Sequence, residues 1–156
     1  WAIVHGEAAA AGTVEAPIAR DPRNPLRFKT GAGRHARSAR THWRRIATAE
    51  VDGRVFSWLA CRLDTGRTHQ IRVHLESIGL PLVGDPVYRR GRPPSSAGDP
   101  RPWARFERQA LHACRLALVH PRSRRWRSWF RPPPADMQLL MTALGFDGRR
   151  DVAAFE

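Results

Sequence analysis

Residues Leu63 to His74 read Leu-Asp-Thr-Gly-Arg-Thr-His-Gln-Ile-Arg-Val-His, and they constrain the fold more than any other part of the chain. A strand-like run ends there in a Gly-Arg turn, and a helix follows at once. Ile71, Leu75 and Ile78 fall at i, i+4 and i+7, so the spacing predicts a helix over 68–78 with one apolar stripe turned to a core. His69 and Arg72 stand three apart and share another face, which is expected to meet a ligand. Thr68 is placed to cap the helix start, and Gly79 and Pro81 to stop its end. Gly66 lets backbone pass close to a bound group, and the free N–H groups of a helix start attract anions. Arg67 projects from that point with a charge that does not titrate near neutrality. About ten residues on comes Gly84-Asp-Pro-Val-Tyr88.

Charge narrows the partner. The formal net charge is +13 over 156 residues, and Lys29 is the only lysine, so the positive charge is nearly all arginine. Guanidinium is a planar fork of donors that matches phosphate and guanine edges and stacks on bases, which favours nucleic acid. A G+C-rich coding sequence accounts for arginine over lysine but not for the net charge. An apolar content of 42% argues against wholesale disorder. Cys61 and Cys114 stand alone, without zinc or disulfide spacing, which fits a reducing, cytoplasmic setting. No apolar run approaches the roughly 18 residues of a membrane span, and no signal peptide is evident. Trp1 to His5 reads as the middle of a strand, so the N-terminus is expected to be a cut edge.

Ala2 to His5 is expected to be a strand, and Thr13 to Ile18 a short extended piece kept at an edge by Pro17. Arg20 to Arg45 holds eight arginines and one lysine against the single acid Asp21. Its prolines and glycines deny it a long helix, so it is expected to be a flexible basic arm. Thr41 to Ala49 and Arg54 to Leu63 read as strands joined at Asp52-Gly53, a strong hairpin signal, although the alternation is imperfect. Arg89 to Pro102 is expected to be an exposed loop. Leu111 to Val119 and Trp126 to Phe130 make a second hairpin, and Ala135 to Leu144 a short helix with Asp136 in its first turn. The fold class is α+β, mainly an antiparallel mixed sheet with flanking short helices.

Each site residue also has a plainer reading. Arg67 alone could be a surface ion-pair partner. His69 and His74 lie five apart, off a common helical face, and lack cysteine or carboxylate support, so no metal site is expected. Asp85 before Pro86 fits a turn-former as well as an acid. Trp126 and Trp129 fit core or edge aromatics as well as base-stacking platforms. The ordered string carries more than its parts.

That string resembles the RluA family of pseudouridine synthases, particularly its large-subunit ribosomal RNA branch. Trp1 to Gly6, Gly12 to Pro22, Thr41 to Trp43, Leu63 to His74, Gly84 to Tyr88, Arg108 to Ala113 and Val119 to Ser123 follow the family's order. The resemblance implies that Arg67 pairs with the catalytic aspartate. The family carries that aspartate upstream, in a His-Arg-Leu-Asp-x-x-Thr-Ser-Gly type of motif, and no such string occurs here. Arg62 to Gly66 imitates it by coincidence. Asp64 belongs to the downstream motif and is not read as the nucleophile. The family's active-site tyrosine is expected just before Trp1, and the one tyrosine present, Tyr88, sits in a different motif.

The resemblance implies that residues 1–146 are the C-terminal portion of a catalytic domain and 147–156 a tail. The missing N-terminal half of the same domain would be a partner, and an incomplete sheet with an exposed edge is expected. It also implies uridine isomerisation in RNA, ribosomal RNA above all. That reaction is redox-neutral and needs no nicotinamide, metal or nucleotide. Arg67, His69, Gln70, Arg72 and His74 would then face the RNA. Arg34, Arg37 and Arg40 of the arm and Arg89 and Arg90 of the loop would grip its backbone. Two readings remain open: part of a working synthase, or a non-catalytic RNA-binding remnant. A ribosomal-type structural protein fits less well, because it would leave the Gly-Arg motif idle.

Overall fold

The computed structural model describes residues 1–89, 91 and 99–146. Among the described residues are eight strands: β1 (Ala2–His5), β2 (Ala11–Glu15), β3 (Ile18–Arg20), β4 (Phe28–Thr30), β5 (Arg40–Val51), β6 (Arg54–Leu63), β7 (Arg115–Val119) and β8 (Trp126–Phe130). Three short helices accompany them: α1 (Gln70–Ser77), α2 (Pro102–Arg105) and α3 (Ala135–Ala143). The main sheet is antiparallel in the order β1-β6-β5-β2, and β3-β4 and β7-β8 form separate two-stranded sheets. This is the α+β architecture that the sequence implies.

The long β5–β6 hairpin is the frame. Asp52 and Gly53 both take positive φ, 50° and 68°, which is the local geometry a two-residue hairpin turn demands. The imperfect alternation along β6 has a simple cause: Phe56 to Ala60 is buried throughout because both faces of the strand are covered. On one face Phe56 and Trp58 join Trp1 and Ile3, and Trp103, Phe106, Met137, Leu140 and Leu144 of the α2 and α3 region close over them. On the other face Leu59, Ala2 and Val4 meet Leu75, Leu80 and Leu82. A third cluster of Ile18, Ala39, Val73 and Tyr88 ties β3 to α1.

Several expectations need correction. The expected open edge does not lie at β1. Ile3 and His5 exchange backbone hydrogen bonds with Pro81, Val83 and Ala110, which cover that side. The basic arm is not a free loop. Its start enters the β3–β4 hairpin, Arg37 bridges Ile18, and its end is the first half of β5. Ile78, assigned to the core stripe, is 41% exposed, and Val73 takes the inward place with Leu75. Thr68 does not cap α1. His69 stands at that position in a left-handed conformation, φ 56° and ψ 19°, with no side-chain cap. The strand expected from Leu111 begins only at Arg115. Trp126 and Trp129 are 65% and 46% exposed, so neither is a core aromatic among the described residues. The helix α2 was not foreseen. The expectations on Arg90, on residues 92–98 and on residues 147–156 lie outside the described residues.

Candidate RNA-facing site

Thr65 to His69 carries the chain from β6 into α1, and one buried side chain holds this turn in shape. The Gln70 Oε1 accepts from the Thr65 hydroxyl at 2.8 Å and from the Arg67 backbone N–H at 3.0 Å. Its Nε2 donates to the Arg40 carbonyl at 2.9 Å and to Thr41 Oγ1 at 3.0 Å. All four hydrogen-bonding positions of the amide are therefore filled. This clamp pins the Gly-Arg turn to the start of β5.

The chain of donors continues inward. Thr41 Oγ1 accepts a hydrogen bond from the Gln70 amide, and its own hydroxyl donates to His74 Nδ1, 2.9 Å away. His74 Nε2 then donates to the Ala16 carbonyl at 3.0 Å. The ring is fully buried and held in one neutral tautomer. Burial keeps it below its ordinary value of 6.5, against the opposing pull of the Ala16 carbonyl.

Arg72 turns to Asp85. Its Nε and Nη2 donate to the two carboxylate oxygens, each at 2.7 Å, and the side chains are 10% and 0% exposed. Asp85 Oδ1 also accepts the backbone N–H groups of Val87 and Tyr88, both at 2.9 Å. Burial pushes the Asp85 carboxyl up, but Arg72 and those two amides outweigh it and hold it below its ordinary 3.8. Asp85 is thus a turn-former that also neutralises a buried cation.

The structure therefore divides the residues that the sequence put on one ligand face. Gln70, Arg72 and His74 point into protein, where Gln70 and His74 find complete sets of partners and Arg72 finds the Asp85 carboxylate. Arg67 and His69 are half-buried and look outward. Arg67 Nε donates to the Ser38 carbonyl at 3.1 Å, and no carboxylate pairs with Arg67 among the described residues. Nothing lies within 4 Å of where a Cβ on Gly66 would stand, so the space beside the turn is open. Asp64 is engaged elsewhere, 2.8 Å from His42 Nε2 and 3.6 Å from Arg40. That His42 hydrogen bond is the chief reason its carboxyl lies below the usual range.

The basic residues spread around this turn. Arg34 and Arg37 are exposed, whereas Arg40 is paired with Glu15 at 2.8 Å. Arg89 is half-buried, with its Nε 3.3 Å from the Asp85 carbonyl. No group of three or more His, Cys, Asp or Glu side chains is placed to hold a metal ion among the described residues. Sequence reasoning missed Ser38, Thr41, Thr65 and Tyr88. Ser38 had no signal, whereas Thr41, Thr65 and Tyr88 each lie in a motif block, Thr41 to Trp43, Leu63 to His74 and Gly84 to Tyr88.

These buried groups set the response to acid. The folded values of His69 and His74 lie below 6.5, so the unfolded chain takes up protons first. Stability is complete above about pH 6.5 and declines as pH falls below it. Asp85 is ionised in the fold at pH values where the unfolded chain would be protonated, so a second loss follows as pH drops below about 3.8 toward its folded value. Melting temperatures measured from pH 8 to pH 3 should fall in these two windows. A flat profile between pH 7 and pH 5 would contradict the histidine assignment.

Comparison with known proteins adds the following. Residues 1–77 match the family model described as RNA pseudouridylate synthase. A protein of Chloroflexus aurantiacus named "uncharacterized RNA pseudouridine synthase" is 46% identical over 143 residues, 92% of this chain and 40% of its own length. The ribosomal large subunit pseudouridine synthase D of Nitrosomonas europaea is 44% identical over 143 residues, 92% and 39% of the two chains. Its counterpart in Escherichia coli K12 is 42% identical over 149 residues, 94% and 44%. The chain thus spans about two fifths of the length of the curated relatives it matches. Among solved structures, human RNA pseudouridylate synthase domain containing 1 superposes with a TM-score of 0.69 at 22% identity, covering 91% of this chain and 56% of that one. Human RNA pseudouridylate synthase domain containing 4 gives 0.70 at 23% identity, covering 94% and 61%. These two likenesses bear on the fold.

Proposed function

We propose that this chain is part of an RNA pseudouridine synthase of the RluA type, with residues 1–146 forming the C-terminal portion of a catalytic domain that isomerises uridine to pseudouridine in RNA, ribosomal RNA above all. The glycosidic bond from ribose to the uracil nitrogen breaks, the base turns, and a bond to the uracil carbon forms. No electrons are gained or lost overall. In this reading Arg67 is the partner of a catalytic aspartate supplied by polypeptide outside these 156 residues. The exposed arginines, Arg34 and Arg37 among them, hold the phosphate backbone in the cytoplasm's salt. Such contacts orient RNA without reading its bases.

One observation carries the reading. Arg67 sits on a clamped turn beside open space, half-buried, with a backbone carbonyl as its partner and no carboxylate among the described residues. A groove of about 930 Å³ lined by Trp1, Leu63, Ile71, Leu111, Cys114 and Trp126 supports the second half of it. Its apolar lining suits further polypeptide of the same domain better than water.

The test compares the 156-residue chain with the full-length protein. The shorter chain should bind ribosomal RNA fragments with an affinity that falls steeply as salt rises, yet release no tritium from 5-tritiated uridine in RNA. The full-length protein should release it. Turnover by the shorter chain would overturn the placement of the nucleophile. A full-length protein that binds RNA without turnover would be the non-catalytic remnant instead.

A further inference from the structure

We propose that Tyr88 is a positioning residue that fixes His69 as an Nε2–H donor, presented beside Arg67 to an acceptor oxygen of RNA; the ligand rests on the function proposed above, while the donor's orientation stands on geometry alone.

The argument is an accounting of protons. Tyr88 is fully buried. Its oxygen accepts the Phe28 backbone N–H at 2.8 Å and lies 3.0 Å from His69 Nδ1. If His69 Nδ1 carried a proton, the tyrosine oxygen would accept twice and its own O–H would have no acceptor among the described residues. A buried donor left unsatisfied is costly. The reverse direction satisfies every group: Phe28 N–H donates to Tyr88, and the Tyr88 O–H donates to His69 Nδ1. The single ring proton of neutral His69 then sits on Nε2. That nitrogen has no hydrogen-bond partner among the described residues, and it is not among the buried unsatisfied atoms.

The tyrosine cannot drift from this role. The guanidinium carbons of Arg72 and Arg27 lie 4.8 and 5.1 Å from its ring centroid. Arg72 is locked by Asp85, and Arg27 by Glu76 at 2.9 and 3.0 Å. The Tyr88 backbone N–H is tied to Asp85 as well. His69 is held from its own side by a left-handed backbone, φ 56°, and by edge-on contacts with Phe28 and Tyr88 at 5.7 and 5.6 Å. A left-handed non-glycine residue persists where its surroundings over-determine it. Burial, followed by the Arg72 cation, keeps the ring in its neutral form, against the weaker pull of Asp85. The result is a neutral donor on a rigid mount two residues from Arg67.

The experiment uses the full-length protein. Long-range nitrogen–proton spectra should place His69 Nδ1 at the unprotonated and Nε2 at the protonated imidazole position. Tyr88→Phe keeps the ring between its two arginines, and should leave His69 exchanging between tautomers. RNA affinity should then fall about fivefold. A protonated Nδ1 in the unaltered protein overturns the proposal without touching the proposed function. So does an unchanged tautomer or an unchanged RNA affinity in Y88F. If Y88F does not fold, the pair His69→Gln and His69→Ala decides. Gln offers an amide N–H near the place of Nε2 and should retain more RNA affinity than Ala, and equal losses overturn the idea. Neutral methylphosphonate replacements at single phosphates separate the two sources of the oxygen. The His69-dependent share of the affinity disappears at one such position if the acceptor is a phosphate oxygen, and persists at all of them if it is a base carbonyl.

Discussion

Asp85→Ala should cost the fold about 3–5 kcal/mol, because it strands a buried guanidinium. Arg72 is nearly enclosed, both its hydrogen bonds to Asp85 are 2.7 Å long, and the carboxylate is wholly out of water. The substitution also removes the acceptor of two backbone N–H groups, those of Val87 and Tyr88, which shape the turn after Pro86. Arg72→Ala should be damaging for the mirror reason. Replacing both partners with apolar residues should cost less than the sum of the single changes, since no charge is then left unpaired in the interior. The exposed Arg40–Glu15 pair supplies the control, and its loss should cost far less than loss of the buried pair. Chemical denaturation of the four variants, with the slope against denaturant checked for constancy, measures all of this. A loss below about 1 kcal/mol for Asp85→Ala would mean that the pair is not the internal brace described here.

Arg67→Ala in the full-length protein should reduce turnover by about a hundredfold or more, the scale seen when a preorganised electrostatic partner is removed. RNA affinity should change little, because on the proposed reading many other arginines contact phosphate. The reason is specific to the role. A fixed cation a few ångströms from a carboxylate lowers its pKa by roughly 1–3 units and holds it in line for attack. Without it the acid limb of the rate profile should move to higher pH. Arg67→Lys should restore charge but not the planar fork that also reaches the Ser38 carbonyl, so its rescue should be partial. Steady-state turnover and equilibrium binding measured on the same variants separate the alternatives. If both fall in proportion, Arg67 is a phosphate clamp and the proposed pairing with an aspartate is lost.

Much of this molecule could be read along the chain. The β5–β6 hairpin was legible because Asp52-Gly53 carries its own backbone preference, independent of anything distant. The helix after the Gly-Arg turn and α3 were legible from their spacing, and the β7–β8 hairpin from its turn residues. The family likeness was legible too, since its motifs are contiguous strings that follow the family's order. The basic arm was misread for an instructive reason. Proline and glycine rule out a helix there, but they do not say whether the remaining backbone pairs with itself, as it does in β3 and β4.

What the sequence by itself determined is the local punctuation: where strands turn, where a helix begins, and which residue types crowd the Gly-Arg turn. Only the tertiary structure decided which of those residues look outward. Helical spacing says that polar residues share a face, but not what covers that face. The partners of Gln70 lie up to 30 residues back, that of His74 lies 58 back at Ala16, and Tyr88 reaches Phe28 across 60. Each polar group goes wherever its hydrogen bonds are completed, and completion depends on chain segments brought together by burial of Phe56, Trp58 and Leu59. That is why Arg72 became an internal brace while Arg67, five residues earlier, kept its charge at an open surface.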